Sequence, residues 1–503
     1  KDKNFSQNLM SKNSQMQKIL FEKLEKQIER EEAAGFNKFI KLFLTRNKII
    51  LPLIVFIAIL IIPTPDGLTT EGQVALAVMA LVVILWATEA IPIAVTGLLG
   101  VVLLVLFGGT ADLVGAIHGF SDPVSYFLIG ILTLGLAVHR SGLAERFAMV
   151  LIRGSRNNPT LLYVQMLFSF ALLTFALPSA STRGAILVHV YQKVLDSWGI
   201  EQSHPYNRSI MMALGTLNRL ASTALLAGGI TPVVTSSLLG GGFSWTEWFL
   251  VMSVPFYLNL IIGGIFLFLI YRKGFNFKPS PLNSDEFHVG PLTPIEIRAG
   301  IIVLITALLW FTDFAHGLHP VMPAMIALVL ILLPRIGILS WQEFERDLGW
   351  SNFFVIATSL SIAYVLVTTG AAAWFSEIIV SNATVLEDRP LTILFLMSIG
   401  FAVIRFFMPN GAGYFALMIP VAMASGQMLG LNPLICGMAV VVVGDSVVYY
   451  AAGGTSAVFI FQRAQISGPQ IFRFAAIMTL VTIGVLFVVA VPYWDLLGYI
   501  LTP

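Results

Sequence analysis

A single cysteine, Cys436, stands among 503 residues. One thiol excludes an intramolecular disulfide and a cysteine-built metal cluster. Charge is scarce as well: Asp, Glu, Lys and Arg make up 11% of the chain. An average soluble domain carries about 25%, so an ordinary soluble protein is excluded. There is no H-E-x-x-H run, and neither Arg183 nor His189 has an evident nucleophile beside it. The chain is therefore expected not to be an enzyme, and to need no metal or cofactor. No secretory signal peptide is visible, because residues 1–48 are polar and charged. The sequence opens on Lys1, so the true start is expected upstream. The net charge of +2 says little about partners, and no nucleic acid is expected among them.

What is abundant is apolar, at 57% of residues. A span needs about 20 apolar residues, and the apolar segments allow roughly ten or more crossings. The expected class is an all-α polytopic membrane protein, with the lipid bilayer as its first partner. Residues 1–48 carry eleven Lys and Arg. Leu20, Leu24 and Ile28 form one apolar stripe there, and Phe36, Phe39, Ile40 and Phe43 a second. This reads as a cytoplasmic amphipathic arm lying partly on the membrane surface, or as a solvated tail. A first transmembrane helix follows within 49–70, then a first half over 71–271. A polar cytoplasmic linker spans 272–298, and a second half runs over 299–503.

Two apolar segments, near 161–191 and 391–423, are interrupted in the middle by PSASTRG at Pro178–Gly184 and PNGAG at Pro409–Gly413. Proline cannot continue the helix ladder. Each segment either crosses or turns back as a re-entrant hairpin, and the basic residues test the choice. With both turned back and the N-terminus inside, fourteen Lys and Arg fall in inside connections and Arg389 alone outside. That asymmetry satisfies the positive-inside rule, and it collapses if either segment crosses. The expectation is eleven crossings plus two hairpins, one opening inward and one outward. The N-terminus is then cytoplasmic and the C-terminus outside, in an integral protein of the plasma (inner) membrane.

The two halves also echo each other. Pro92 and Ser141-Gly142 recur as Pro320 and Thr369-Gly370 at a spacing of 228. Pro178 recurs as Pro409 at 231, and Ala227-Gly228-Gly229 as Ala452-Gly453-Gly454 at 225. Five crossings per half is an odd number, so the second copy is inverted. Inverted repeats with broken helices near the midplane mark secondary transporters.

Charges at span depth then need a reason. Arg183, Arg219 and Arg405 fit no loop, and Asp445 and His189 lie equally deep. Each central charge costs about 2.5–3.5 kcal/mol, on the order of 8–10 kcal/mol for three. One acid against three arginines leaves a surplus of about two positive charges, which a dianion would neutralise. The alternative pairs Arg219 with Asp445 and lets Arg405 reach backbone carbonyls or an interface. His189 is a satisfied interior histidine or a proton relay, and Asp445 a salt-bridge partner or a cation ligand.

A helix starting in mid-membrane presents backbone N–H groups that suit a carboxylate. Ser179, Ser181, Thr182 and Asn410 would add side-chain donors. Ala180, Gly411, Ala412 and Gly413 would let a ligand approach the backbone. The stretches holding Gly229 and Thr231, and Gly454 and Thr455, read as matching unwound segments. These residues, with Arg183, are the candidate substrate site. Arg219, Arg405, Asp445 and His189 are candidates for charge compensation or coupling.

Over roughly residues 50–500 the chain resembles the divalent anion/sodium symporter family, the INDY-type di- and tricarboxylate transporters. The resemblance rests on WATEAIP at Trp86–Pro92, on the run Ser121–Ala148, and on the two tips at matching places. It implies a homodimer, a scaffold, and a hairpin-bearing transport domain that moves as an elevator. It also implies a carboxylate held between two Ser-Asn-Thr tip motifs, often with Na⁺ beside them. Here Ser179 matches the motif serine, whereas Ala180 and Gly411 stand in the asparagine places. Ser181 replaces the first threonine, and Asn410 takes the second serine's place. Loss of both asparagines weighs against Na⁺ coupling. Arg183 looks like the arginine of the family's exchanger-like branch, where it supplies the charge that Na⁺ otherwise brings. The leading expectation is therefore a secondary transporter of a small divalent, dicarboxylate-like organic anion, working by exchange. A Na⁺- or H⁺-coupled anion symporter is the alternative, and a cation/proton antiporter a more distant one.

Overall fold

The computed structural model describes residues 48–502, apart from 156, 178, 280–289, 382–388, 409 and 452–456. Contacts divide the chain into Lys1–Val55 and Phe56–Pro503. The described residues of the first unit open helix α1, Ile50–Ile61. The expected surface arm lies outside the described residues, as do Pro178 and Pro409. Everything below concerns the second unit.

The described residues form helices, with no strand among them. The first half runs through α2 (Thr70–Thr88), α3 (Ile93–Leu106), α4 (Pro123–Ser141) and α5 (Leu143–Gly154). It continues through α6 (Pro159–Ala176), α7 (Ala180–Ser197), α8 (Pro205–Thr216), α9 (Asn218–Thr223), α10 (Ile230–Leu238) and α11 (Trp245–Tyr271). The second half holds α12 (Pro294–Phe311), α13 (Val321–Leu332), α14 (Trp341–Asp347), α15 (Trp350–Thr368) and α16 (Ala371–Val380). After these come α17 (Pro390–Phe407), α18 (Gly411–Met428), α19 (Pro433–Asp445), α20 (Ala457–Gln462) and α21 (Gly468–Val485).

Among the described residues, eight helical stretches are long and apolar enough to cross a bilayer, with five shorter apolar helices of 10–17 residues. The difference from eleven full-length crossings has a local cause. Helix α3 begins only after Pro92 and has 14 residues, and α13 begins only after Pro320 and has 12. At 1.5 Å per residue such helices reach about 18–21 Å, against about 30 Å of hydrocarbon.

Start signals are explicit. Proline opens α4, α6, α8, α12, α17 and α19, where its missing N–H costs nothing. Asp122, Asn158 and Asn432 cap three of these by accepting backbone N–H bonds, and Thr293 forms a capping box with Glu296. Outward faces stay apolar. On α12, Ile301, Leu304 and Leu308 are exposed, while Ile302, Thr306 and Trp310 are buried. That split at helical spacing is the pattern of a helix with one face toward lipid.

One repeat signal reappears as local geometry. Gly142 and Gly370 hold left-handed φ of 79° and 75°, and each turns a long apolar helix into a shorter one. A residue with a Cβ resists that conformation, which explains why the glycine recurs.

Candidate functional site

Both interrupted segments are helix, short break, helix. The first breaks between Ala176 and Ala180, the second between Phe407 and Gly411. Ser179 caps α7, its Oγ accepting from the Thr182 backbone N–H at 3.2 Å and from the Thr182 hydroxyl at 3.1 Å. Asn410 caps α18, its Oδ1 accepting from the N–H groups of Ala412 at 2.9 Å and Gly413 at 3.4 Å. Two helix N-termini, each positive in partial charge, therefore begin at the breaks.

They begin in one place. Ser179, Ala180 and Ser181 line a chamber of about 250 Å³ together with Asn410, Gly411 and Ala412. The same chamber is lined by Asn218, Arg219, Ser222, Thr223, Gly229 and Thr231, by Asp445 and Val448, and by Ile93, Asn352 and Val355. The tips expected to face each other thus share a chamber with the interrupted helix of each half. Gly454 and Thr455 lie outside the described residues.

The structure differs from expectation in how the first half is interrupted. The chain breaks at Leu217 and again over 224–229, with a 3₁₀ turn at Leu226–Gly228. Ile230 and Thr231 are not unwound but open α10. Gly228 is required by close approach, since a Cβ there would lie 2.0 Å from the Ser222 carbonyl oxygen.

The three arginines take distinct roles. Arg183 was expected to face the substrate, but it is fully buried and lies behind the chamber wall. Its Nε donates to Asn218 Oδ1 at 2.6 Å, and its Nη1 to the Leu177 carbonyl at 3.0 Å. Its Nη2 donates to the Asn218 carbonyl and to Ser222 Oγ, both at 2.8 Å. Asn218 in turn donates from Nδ2 to the Ala180 carbonyl at 2.8 Å. Every guanidinium nitrogen is committed to holding the first tip on α9. Arg405 does the equivalent for the second tip. It donates from Nη1 to the Met408 carbonyl and from Nε to the Gly444 carbonyl at 2.8 Å. Its guanidinium also lies 5.7 Å from the Tyr414 ring centroid. Leu177 and Met408 are spaced by 231 residues, like the two prolines that follow them.

Arg219 lines the chamber and is ion-paired with Asp445. The second Asp445 oxygen accepts from the Thr223 hydroxyl, and Thr231 Oγ1 lies 3.4 Å from the first. So the paired alternative holds for Arg219, and carbonyl acceptors for Arg405. Among the described residues, Arg183 and Arg405, both buried, and Arg219, partly buried, stand against one buried carboxylate at the chamber, Asp445.

Other candidates fall elsewhere. Thr182 and His189 line a vestibule of about 810 Å³, with Lys193, His139 and Glu145. Gly413 does not face the chamber: a Cβ on it would meet Trp86 Cε3 at 2.5 Å. Trp86 is itself held by its Nε1 donating to the Ile93 carbonyl at 2.9 Å, so the WATEAIP turn buttresses the second tip. Vestibule and chamber share Ser179, Ser181, Ile230 and Asn352, which form a neck between them. Asn352 was not foreseen, because an asparagine at the head of an apolar run reads as an ordinary helix-end residue.

Apolar helices that enclose a small chamber, lined by polar side chains among apolar ones, between two interrupted segments have the build of a membrane transport protein. Comparison with known proteins narrows the class. The profile of the sodium:sulfate symporter transmembrane region matches residues 45–500. The chain belongs to that family, the divalent anion/sodium symporters. It is 22% identical over 458 residues to dicarboxylate transporter 1, chloroplastic, of Spinacia oleracea, covering 87% of this chain and 79% of that one. It is 23% identical over 450 residues to the L-tartrate/succinate antiporter of Escherichia coli (strain K12), covering 80% and 90%. Among solved structures it resembles the YdaH transporter of Alcanivorax borkumensis, with a TM-score of 0.51, 15% identity and coverage of 86% and 100%. It also resembles MtrF of Neisseria gonorrhoeae, with a TM-score of 0.52, 16% identity and coverage of 84% and 95%. These two likenesses concern the fold alone.

Proposed function

We propose that the protein exchanges small divalent organic anions, of the dicarboxylate type, across the plasma membrane. The carrying observation is the chamber, built jointly by both tips, with three arginines to one carboxylate around it, a formal surplus of two positive charges. A dianion balances that surplus, and the N-termini of α7 and α18 offer it backbone donors. At about 250 Å³ the chamber is smaller than the roughly 300–1,000 Å³ of sites for drug-sized ligands. A molecule of a few carbons suits it.

Exchange is favoured over cation coupling by the state of Asp445. Its carboxylate is spent on Arg219, Thr223 and Thr231, and its oxygens are poorly disposed to serve Na⁺. Fixed arginines supply the positive charge on every passage, so an empty return would carry that formal surplus through the bilayer without an anion. Obligatory counter-transport follows.

In this reading α6–α7 and α17–α18 are re-entrant hairpins within an inverted repeat of eleven crossings. They belong to a transport domain that moves as an elevator against a scaffold, in a homodimer. The vestibule lies on the side that carries Lys193 and Arg140, the cytoplasmic side by the positive-inside rule. The chamber therefore faces inward, with the N-terminus inside and the C-terminus outside. The relatives' names, a dicarboxylate transporter and a tartrate/succinate antiporter, agree with this cargo.

Proteoliposomes loaded with succinate should take up labelled external dicarboxylate without Na⁺ or a pH gradient. No counter-flow with any of a panel of dicarboxylates, tricarboxylates, sulfonates and sulfate refutes the proposal.

A further inference from the structure

Four residues form the neck between chamber and vestibule, and three are accounted for. Ser179 Oγ accepts twice from Thr182 as the α7 cap, Ser181 is bonded, and Ile230 is apolar. The fourth, Asn352, sits in the first turn of α15, on the wall formed with Ile93 and Val355. Its backbone N–H donates to the Gly349 carbonyl at 2.9 Å. Its side-chain amide makes no hydrogen bond to any described residue. A half-buried amide without a partner among the described residues leaves its two N–H donors and its oxygen open to whatever occupies the neck.

Local backbone geometry gives that amide its room. Gly349 caps α15 in the left-handed region at φ 79°. A Cβ on Gly349 would lie 3.2 Å from Asn352 Nδ2. The absent side chain leaves the amide space over the helix start, beside both cavities.

We propose that Asn352 is an anion ligand at the neck, donating its amide N–H to a carboxylate as the anion moves between chamber and vestibule. It thereby takes part in selecting the cargo. Ala180 and Gly411 at the two tips have no polar side chain, so the Asn352 amide offers the anion a side-chain donor that these positions do not. The inference rests on the chamber being the anion site.

The test uses purified full-length protein, with Asn352→Leu (similar volume, no donor) and Asn352→Asp (same shape, negative charge). Succinate and sulfate are the probes. Anion-free unfolding temperatures should match wild type in Asn352→Asp, whatever packing does in Asn352→Leu. Asn352→Leu should raise the succinate KM for exchange about tenfold, a hydrogen bond to a charged group being lost. It should change the sulfate response less, so the ratio of the two shifts. Asn352→Asp should lose stabilisation by both anions. If wild type exchanges and is stabilised while both variants keep its KM and its stabilisation, this proposal fails and the chamber reading survives. If wild type neither exchanges nor is stabilised by any anion, both fail together.

Discussion

Removing Arg183 separates two roles that a charge count cannot tell apart. If Arg183 were a direct anion ligand, Arg183→Met would lose substrate and leave the empty protein sound. Arg183→Lys, which keeps the charge, would keep part of the affinity. The geometry says otherwise. Deletion strands the carbonyls of Leu177 and Asn218, together with Asn218 Oδ1 and Ser222 Oγ. Each buried orphan costs about 1–3 kcal/mol. Several kcal/mol return because a guanidinium no longer has to be buried. The balance is a loss of about 2–5 kcal/mol. Lysine, a point charge with three donors, cannot replace a planar fork that meets four acceptors, so Arg183→Lys should lose nearly as much. Cys436 provides the assay. It is the only thiol in the chain and fully buried, so a fluorogenic thiol reagent reads global unfolding on a temperature ramp. Both variants should unfold several degrees below wild type without any anion present. A wild-type unfolding temperature in Arg183→Met, with anion stabilisation abolished, refutes the clamp and restores the ligand role.

Further outcomes follow from other contacts. Arg219→Gln alone should cost about 3–5 kcal/mol, because it leaves the buried Asp445 carboxylate without its cation, and Asp445→Asn should cost less, Arg219 being partly exposed to the chamber. The double variant should recover much of that loss in the same assay, and strict additivity would show that the pair is not coupled. Gly413→Ala should cost about 1–3 kcal/mol by pressing on Trp86 and should slow exchange, and full activity with unchanged stability would contradict the buttress. Asp347 faces the vestibule, and hydrogen bonds from Arg346, then Arg140, hold its carboxyl down at about 2. Its pKa is lower folded than the unfolded value of about 3.9. The stabilisation it gives is therefore present above that value and is lost as pH falls through about 2. The stability gap between wild type and Asp347→Asn should thus be flat from pH 8 to 5, and a slope in that window would show another group at work.

How much of this was legible beforehand depended on whether a residue's partners were local. The two tips were legible because proline followed by small polar residues, inside apolar runs, is a local signal. The Arg219–Asp445 pair was a stated alternative because both charges were visible and few others competed. Arg183 was misplaced for the converse reason. Its acceptors are the Leu177 carbonyl six positions back and the carbonyl, amide and hydroxyl of Asn218 and Ser222 35–39 positions on, and carbonyls are present at every residue. Asn352 was missed because its significance lies in what it lacks, a partner, and only packing reveals that. Gly413 was read as access for a ligand, whereas Trp86, 327 positions earlier, needs the space.

The two arginine clamps also bear on how such a chain can be divided. Arg183 reaches only 177, 218 and 222, and the acceptors given for Arg405 are 408 and 444. Each tip is fastened inside its own half of the polypeptide. What joins the halves at the chamber is instead Asp445, held by Arg219 and Thr223 from the other half. A gene cut within the 272–298 linker would yield two fragments, each keeping its own arginine clamp, while Asp445 would lose Arg219 and Thr223, and Gly413 would lose Trp86, to the other fragment.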